Sequence, residues 1–418
     1  MFALVDANSF YCSAEQVFNP RWRGKPLVVL SNNDGCIVAA NKQAIALGIK
    51  KFQPYFKMRE LCESQGIIAC SSNYELYADL SHKMMQVIAR FAPEQHIYSI
   101  DESFLSFEHC KHSANELIEQ GHLLRNAVWK ETRLPVCVGF ASTLTLAKLA
   151  NHIAKKQRHY AGVCLLENKQ LIQELFKKLT PGDIWGIGQK TTSKLLALGI
   201  DNVAKLASLS SYNLPSGFNV EVERTIKELN GISCIGWDVT RSDKQQIYST
   251  RSVGQRITDI EALHQALATH VSIAAAKARK QQSMCGTLVA FANSSPFDAT
   301  PHSFKIIKQF SPPTNDTTTL IEAITTSMHE LFKPQVRYYK IGVGLINLSK
   351  TQHQQLELFS TTKQNSELMQ VLDAINQRYG TDSAFVAAQG IQQKWNMRRQ
   401  LLTPQYTTRW EDIPIINC

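Results

Sequence analysis

The chain has 418 residues, enough for several domains at roughly 100–200 residues each, and its 44% hydrophobic, 19% charged composition is that of a globular protein rather than a disordered or fibrous one. A formal net charge of +10 makes an anionic partner the first expectation, nucleic acid above all, beside the plainer alternative of a globular protein that is merely basic. Ten cysteines without a C-x-x-C pair give no zinc framework or dithiol redox motif, no apolar run nears the ~18 residues of a membrane span, and no secretory leader precedes the first strand, so a reduced, cytoplasmic protein is expected.

Phe2-Ala3-Leu4-Val5-Asp6 reads as a short apolar strand ending on one carboxylate. A second strand is predicted at Pro26 to Leu30, followed by the polar turn Ser31-Asn32-Asn33-Asp34-Gly35, the apolar Cys36 to Ala40, and a helix-like Asn41 to Leu47 closed by Gly48. From Leu76 the period becomes helical: Leu76, Leu80, Met84, Val87, Ile88 and Phe91 share a face, and Pro93 ends the run. Ser99-Ile100-Asp101-Glu102-Ser103-Phe104 then sets two adjacent carboxylates between apolar runs, which predicts a β-hairpin over 96–108 with the acids at its tight corner. A helix starts at Ser113, where Glu116 completes a capping box, and its apolar face is Leu117, Leu124, Ala127 and Val128. A strand at Pro135 to Phe140, a helix over 144–156 and a strand at Gly162 to Leu166 follow.

Without residues 13–72 this order is β-α-β-β-α-β, the split βαβ pattern. There the third strand lies between the first and second and runs antiparallel to the first. The end of strand one, Asp6, therefore meets the start of strand three, Asp101 and Glu102. Residues 181–235 form a separate small helical unit around Gly186-Ile187-Gly188-Gln189-Lys190, and 236–247 are a polar linker. Residues 248–348 repeat the β-α-β-β-α-β order, with strands near 248–253, 284–292, 302–307 and 338–346 and helices starting at capping boxes Thr258…Glu261 and Thr319…Glu322. The stretch 241–350 has 13 Lys+Arg against 7 Asp+Glu, a net +6, over half of the chain's excess charge, and localises the expected anion contact. Residues 351–418 are Gln- and Thr-rich, with helical pieces at 366–379 and 390–402. The predicted class is an α+β multidomain protein.

Converging Asp6, Asp101 and Glu102 are the hard oxygen ligands that Mg²⁺ takes, and two Mg²⁺ ions held this way activate a 3′-hydroxyl and stabilise a leaving pyrophosphate. An Asp-Glu pair at a hairpin corner is also the composition of an ordinary solvated turn, and nucleotide cyclases share both the strand-ending acid and the topology. Phe10 and Tyr11, just after Asp6, suit either a wall against a nucleotide sugar or plain core packing. Lys148 and Lys155, seven apart on one helix face, suit either phosphate binding or a solvated face. The Gly186-Ile187-Gly188 turn is similar to the helix-hairpin-helix turn whose backbone N–H groups hold a DNA phosphate without reading sequence, and such glycine turns are also common structurally. Gln355-Leu356-Glu357-Leu358-Phe359 suits a peptide that docks in an apolar groove, or a short packed extension.

Taken together, Val5 to Tyr11, Ser31 to Cys36, Tyr98 to Phe104, Leu146 to Lys156 and the C-terminal Leu401 to Trp410 resemble the Y-family of translesion DNA polymerases, closest to its UmuC-like branch, the catalytic subunits of bacterial DNA polymerase V. The resemblance covers nearly the whole chain. It implies a palm (1–12 and 73–166) of split βαβ, ferredoxin-like form, inserted fingers (13–72), a helix-hairpin-helix thumb (167–236), a linker (237–247), a second βαββαβ little-finger domain (248–350), and a clamp- and partner-binding tail (351–418). It implies that Asp6 and Asp101 ligate both Mg²⁺ ions, with Glu102 in support and the Ala7 carbonyl on one metal. Tyr11 matches the steric gate against ribonucleotides, with Phe10 beside it. Val38 and Ala39 would lie over the nascent base pair, Lys155 would hold the triphosphate, and Gly186, Gly188 and Lys190 would touch DNA. Gln355, Leu356, Leu358 and Phe359 match the sliding-clamp peptide. Primer–template DNA, dNTPs, the processed UmuD homodimer at the tail from about 390, RecA and single-strand binding protein are the implied partners, in a cytoplasmic, nucleoid-associated setting of the SOS response.

One departure stands out. Where many relatives grip the triphosphate with a Tyr and an Arg three apart on the fingers helix, this chain has Lys42 and Ile45; Lys42, or else Lys50 or Lys51, is the expected substitute. The rival readings are a polymerase IV-like enzyme acting alone, a non-catalytic DNA-binding scaffold and a two-metal nuclease. The residues after 360, the intact acids and Tyr11 argue against them in that order.

Overall fold

The computed structural model describes residues 1–209, 217–236, 243–353, 365–380, 382–391 and 395–415. The chain gathers into two compact units, Met1–Ser31 with Gly35–Thr240 and Leu401–Cys418, and Asn32–Asp34 with Arg241–Gln400.

In the first unit β1 (Phe2–Ala7) leads into α1 (Phe10–Phe18). An inserted sheet follows, β2 (Leu27–Leu30), β3 (Ile37–Ala40) and β4 (Ile68–Ser71) in the order β3-β2-β4, with α2 (Lys42–Ala46) and α3 (Tyr55–Ser64). The chain then returns through α4 (Tyr74–Ile88), β5 (Glu94–Ile97), β6 (Glu102–Ser106), α5 (Ala114–Thr132), β7 (Val136–Ala141), α6 (Leu144–Lys156) and β8 (Val163–Leu166). These make a five-stranded sheet in the order β5-β6-β1-β7-β8. As the split βαβ pattern predicts, β6 lies between β1 and β5 and is antiparallel to β1. β8 extends the sheet as an outer strand parallel to β7.

The period of two along β1 decides what each face of this sheet does. Ala3 and Val5 join the core beneath α4 and α5, whereas Phe2 and Leu4 join the core under α6. Gly139 makes the close approach of α6 to β7 feasible, since a Cβ there would lie 2.1 Å from the Asn151 backbone nitrogen and 2.5 Å from the Ala147 carbonyl oxygen. The buried Asn151 amide donates to the carbonyls of Leu4 (3.1 Å) and Cys137 (2.7 Å), which pins α6 across β1 and β7. Helices α8 (Gln189–Ala197), α9 (Val203–Ala207) and α10 (Val220–Leu229) fall within the helical stretch expected over 181–235, α7 (Lys169–Lys178) precedes it, and all four share the α6-side core rather than standing apart. The fully buried Glu228 on α10 accepts from the backbone N–H groups of Thr145, Cys234 and Ile235.

The second unit repeats the β-α-β-β-α-β order with β9 (Ile247–Ile257), α11 (Ile260–Lys280), β10 (Ser283–Asn293), β11 (Ser303–Thr314), α12 (Thr317–Thr325), α13 (Met328–Leu331) and β12 (Tyr338–Lys350), in the sheet order β11-β10-β12-β9. Its helices do not start at the expected capping boxes. Asp259 caps α11 by accepting from Ala262 N, and Asp316 caps α12 by accepting from Thr319 N. In each case a carboxylate takes the orphan N–H in place of a threonine hydroxyl. α14 (Ser366–Tyr379) stands where 366–379 was expected to be helical. The helix expected over 390–402 is absent among the described residues, because that backbone bonds elsewhere. Gly254 N–H donates to Trp395 O, Arg398 N–H to Asn33 Oδ1, and Leu401 N–H to Ser71 Oγ. Gln355 to Phe359 lie outside the described residues.

Candidate active site

Asp6 shares the face of Phe2 and Leu4, and its register partner on β6 is Glu102. Asp101 closes the turn before β6, where its carbonyl accepts the Ala7 N–H at 3.0 Å. Ser99 shapes this corner: its hydroxyl donates to Asp101 Oδ1 at 2.6 Å and accepts the N–H groups of Asp101 and Glu102. The strand-ending acid and the hairpin acids thus meet as the topology requires.

Two cations of α6 answer them. Lys155 Nζ lies 2.5 Å from Asp6 Oδ1, and Lys148 Nζ lies 3.1 Å from Glu102 Oε1. The lysine side chains are only 29% and 16% exposed, so the solvated-face reading of this pair fails: two turns apart, both point at the acids. Lys148 also sits over the rings of Tyr98 (4.4 Å) and Trp185 (4.9 Å), which suits a partly desolvated ammonium. Burial raises the Asp6 carboxyl to about 6; Lys155 pulls it down, and the charges of Glu102 and Asp101 push it up. A cavity of about 310 Å³ opens here, lined among others by Asp6, Glu102, Lys148, His152, Lys155 and Trp185.

Hard oxygen donors on adjacent backbone, mutually repelling and already balanced by ammonium groups, fit a divalent cation by their chemistry. With Asp6 and Glu102 drawn onto lysines, no group of three His, Cys, Asp or Glu side chains among the described residues is gathered closely enough to hold one.

Tyr11 and Phe10 separate. Phe10 is 3% exposed and belongs to the core, so the plain packing reading suits that ring. Tyr11 is only partly buried and stacks on Tyr77 with centroids 4.8 Å apart. Burial and the charge of Asp101 both raise its phenol. Val38 and Ala39 lie on β3 and the exposed Lys42 opens α2; among the described residues no hydrogen bond or ion pair links them to the acids. Gly186 adopts φ +89° and Gly188 caps α8, with Lys190 exposed in its first turn. The sequence assigns no role of their own to Ser99, Asn151, Tyr77 and Trp185. A serine two residues before an Asp is a recognisable turn signal; the other three carry none.

A sheet with an acid ending its central strand, acids at the neighbouring hairpin corner, an inserted sheet-and-helix subdomain and a following helical unit defines the fold of the Y-family DNA polymerases. A solved Y-family DNA polymerase chimera, Dbh-Dpo4(243-245)-Dbh, matches it with a TM-score of 0.62 at 21% identity, over 84% of this chain and 100% of the other. The chain belongs to the impB/mucB/samB family: the family profile matches residues 5–152, and its C-terminal domain profile matches 244–358. Protein UmuC of Salmonella typhimurium strain LT2 is 39% identical over 99% of both chains, and DNA polymerase IV 1 of Bacillus subtilis strain 168 is 25% identical over 90% of both. Residues 366–416 match a domain of unknown function, DUF4113.

Proposed function

We propose that this chain is an error-prone translesion DNA polymerase of the SOS response, which extends a primer 3′-end on a DNA template by two-metal nucleotidyl transfer. The observation that carries this reading is the register of Asp6 opposite Glu102, with Asp101 bonded through its carbonyl to Ala7 N–H. Asp6, Asp101, Glu102 and the Ala7 carbonyl would hold two Mg²⁺ ions, which lower the pKa of the primer hydroxyl and neutralise the leaving pyrophosphate. The residues do the rest. Lys155 exchanges Asp6 for the incoming triphosphate, and Lys148, held by Tyr98 and Trp185, keeps Glu102 oriented. Tyr11 meets the sugar, Val38 and Ala39 cover the nascent base pair with little bulk, and Lys42 contributes a fingers cation. In domain terms the large sheet is the palm, residues 13–72 the fingers, 167–236 the thumb and 248–350 the little finger.

Gly186, Gly188 and Lys190 would hold a DNA phosphate at the start of α8, and the second unit adds a basic sheet face. Lys305 and Lys340 register with Phe291 and Asn293, two apart on β10, and so share the face turned from the helices. The processed UmuD homodimer would dock on the tail, where Trp410 and Ile415 are 87% and 90% exposed. RecA, the sliding clamp through Gln355 to Phe359, and single-strand binding protein complete the assembly, in a cytoplasmic, nucleoid-associated setting. The alternative, a non-catalytic DNA-binding scaffold, would not need the acid cluster.

Primer extension on undamaged template, with Mg²⁺ present or chelated, tests the reading. Extension that needs the metal and is lost in Asp6→Asn supports it; tight DNA binding with no extension in either condition would favour the scaffold. Tyr11→Ala is expected to raise ribonucleotide incorporation, and unchanged sugar selection would remove the gate assignment.

A further inference from the structure

Beneath Tyr11 lies a buried polar relay that nucleotidyl transfer does not use. Glu15, one helical turn after Tyr11 on α1, is fully buried. The buried Tyr77 on α4 donates its hydroxyl to Glu15 Oε1 at 2.6 Å, and its ring is the surface on which Tyr11 stacks, 30° from parallel. Phe10 meets the same ring edge-on at 6.4 Å. An ionisable group deep in a core is costly unless it is fully served by hydrogen bonds. Glu15 Oε2 has no hydrogen-bond partner among the described residues, and burial raises the carboxyl. The C-terminal segment Leu401–Tyr406 packs against the same two helices.

That segment is fastened to both helices. Asn73, which caps α4 one turn before Tyr77, donates its amide to Thr403 O (3.2 Å), Thr403 Oγ1 (3.0 Å) and Pro404 O (3.2 Å). Ser71 N–H donates to Leu401 O at 2.9 Å, and Leu401 N–H to Ser71 Oγ at 2.9 Å. Tyr406 stacks on Phe18 of α1 at 4.6 Å, and its hydroxyl accepts from the Asn19 amide. The contacts join a stretch within the domain of unknown function to the helices that carry Tyr11 and Tyr77.

We propose that the C-terminal segment Leu401–Tyr406 is a positioning element for sugar selection: through Thr403 and Asn73 it fixes the start of α4, which carries the Tyr77 ring held at its hydroxyl by Glu15, and Tyr77 fixes Tyr11 against the incoming nucleotide. The inference rests on reading Tyr11 as the sugar gate. A gate of this kind rejects one hydroxyl by close contact, so a ring free to tilt away admits the larger sugar. Thr403, Glu15 and Tyr77 touch no substrate and act as positioning residues.

The test is the ratio of kcat/KM for a dNTP over the matching rNTP in primer extension by the full chain. It compares wild type, Tyr11→Ala, Tyr77→Phe, Thr403→Val and Glu15→Gln. Tyr77→Phe and Thr403→Val each remove a single hydroxyl, and thermal unfolding confirms that they fold. The expected result is selection weakened about three- to tenfold in both, the worth of one net hydrogen bond. The change is in rNTP kcat/KM, with dNTP kcat/KM nearly unmoved, as a general loss of structure would not do. Glu15→Gln keeps an acceptor for Tyr77 and retains most of the selection. Unchanged ratios in Tyr77→Phe and Thr403→Val, with selection lost in Tyr11→Ala, would overturn the relay alone. Unchanged selection in Tyr11→Ala would overturn the gate and the relay together.

Discussion

Asp6 meets opposing demands. Burial and two neighbouring acids favour its protonated form, and Lys155 favours the anion. The balance leaves it near 6, and under the proposed mechanism a divalent cation would take the place of the Lys155 ammonium at this carboxylate. Replacing it with Asn removes the charge without changing the shape. Primer extension is expected to fall by on the order of 10³-fold, since loss of one preorganised electrostatic group at a reacting centre has that scale, while gel-shift affinity for primer–template stays near wild type. His270 shows the reverse case in the second unit. It is buried, bonded to Ser249 Oγ through Nδ1 at 2.9 Å, and burial lowers it to about 4, helped by Arg251 and Lys277. A histidine with a depressed folded pKa binds fewer protons than its unfolded form between about 4 and 6.5, so stability rises with pH through that window and is lost as pH falls. Denaturant unfolding at pH 7 and pH 4.5 should show this loss, on the order of 2–3 kcal/mol from this group. His270→Phe should flatten the slope.

The acid cluster was legible at the level of elements because alternation in β1 and the split βαβ order both survive in the sequence. Phe2, Leu4 and Asp6 fall on one face, and antiparallel pairing then brings Glu102 opposite Asp6. The Ser113…Glu116 capping box of α5 forms as the sequence predicts, whereas the caps of α11 and α12 differ because a Thr-x-x-Glu pattern looks the same whether or not an Asp nearby takes the N–H first. The 390–402 segment was misread because its apolar spacing resembles a helix, while its backbone partners are Gly254, Asn33 and Ser71, more than 100 residues away. The inward turn of Lys148 and Lys155 was equally hidden, since it depends on Gly139 and Asn151 seating α6 on β1 and β7. Asn151→Leu leaves two buried carbonyls without their donor and is expected to lower unfolding free energy by about 2–4 kcal/mol. Because α6 carries both lysines, activity should fall further than the stability loss alone explains. A variant destabilised by less than about 0.5 kcal/mol would show that this seat is unimportant.

Across the whole molecule, charge is unevenly spent. Residues 241–350 hold a net +6 of the chain's +10, and their sheet presents Lys305 and Lys340 on the face turned from its helices. Contacts of this kind hold the phosphate backbone and do not read bases. Lys305→Ala with Lys340→Ala should weaken primer–template binding equally for unrelated sequences and reduce the log Kd against log salt slope by about 1 for each lysine. A sequence-dependent loss would place base readout there instead. In the tail, Leu401 to Tyr406 pack within the first unit, and Trp410 and Ile415 stand exposed.

The central claim, a lesion-bypassing polymerase built on Asp6, Asp101 and Glu102, is tested most directly by primer extension with Mg²⁺ and dNTPs across an abasic template site. The reaction includes the processed UmuD partner, activated RecA and sliding clamp, beside an Asp101→Ala control. Extension past the lesion that disappears in the control is the predicted result. No extension with DNA binding intact, or bypass unchanged in Asp101→Ala, would contradict it.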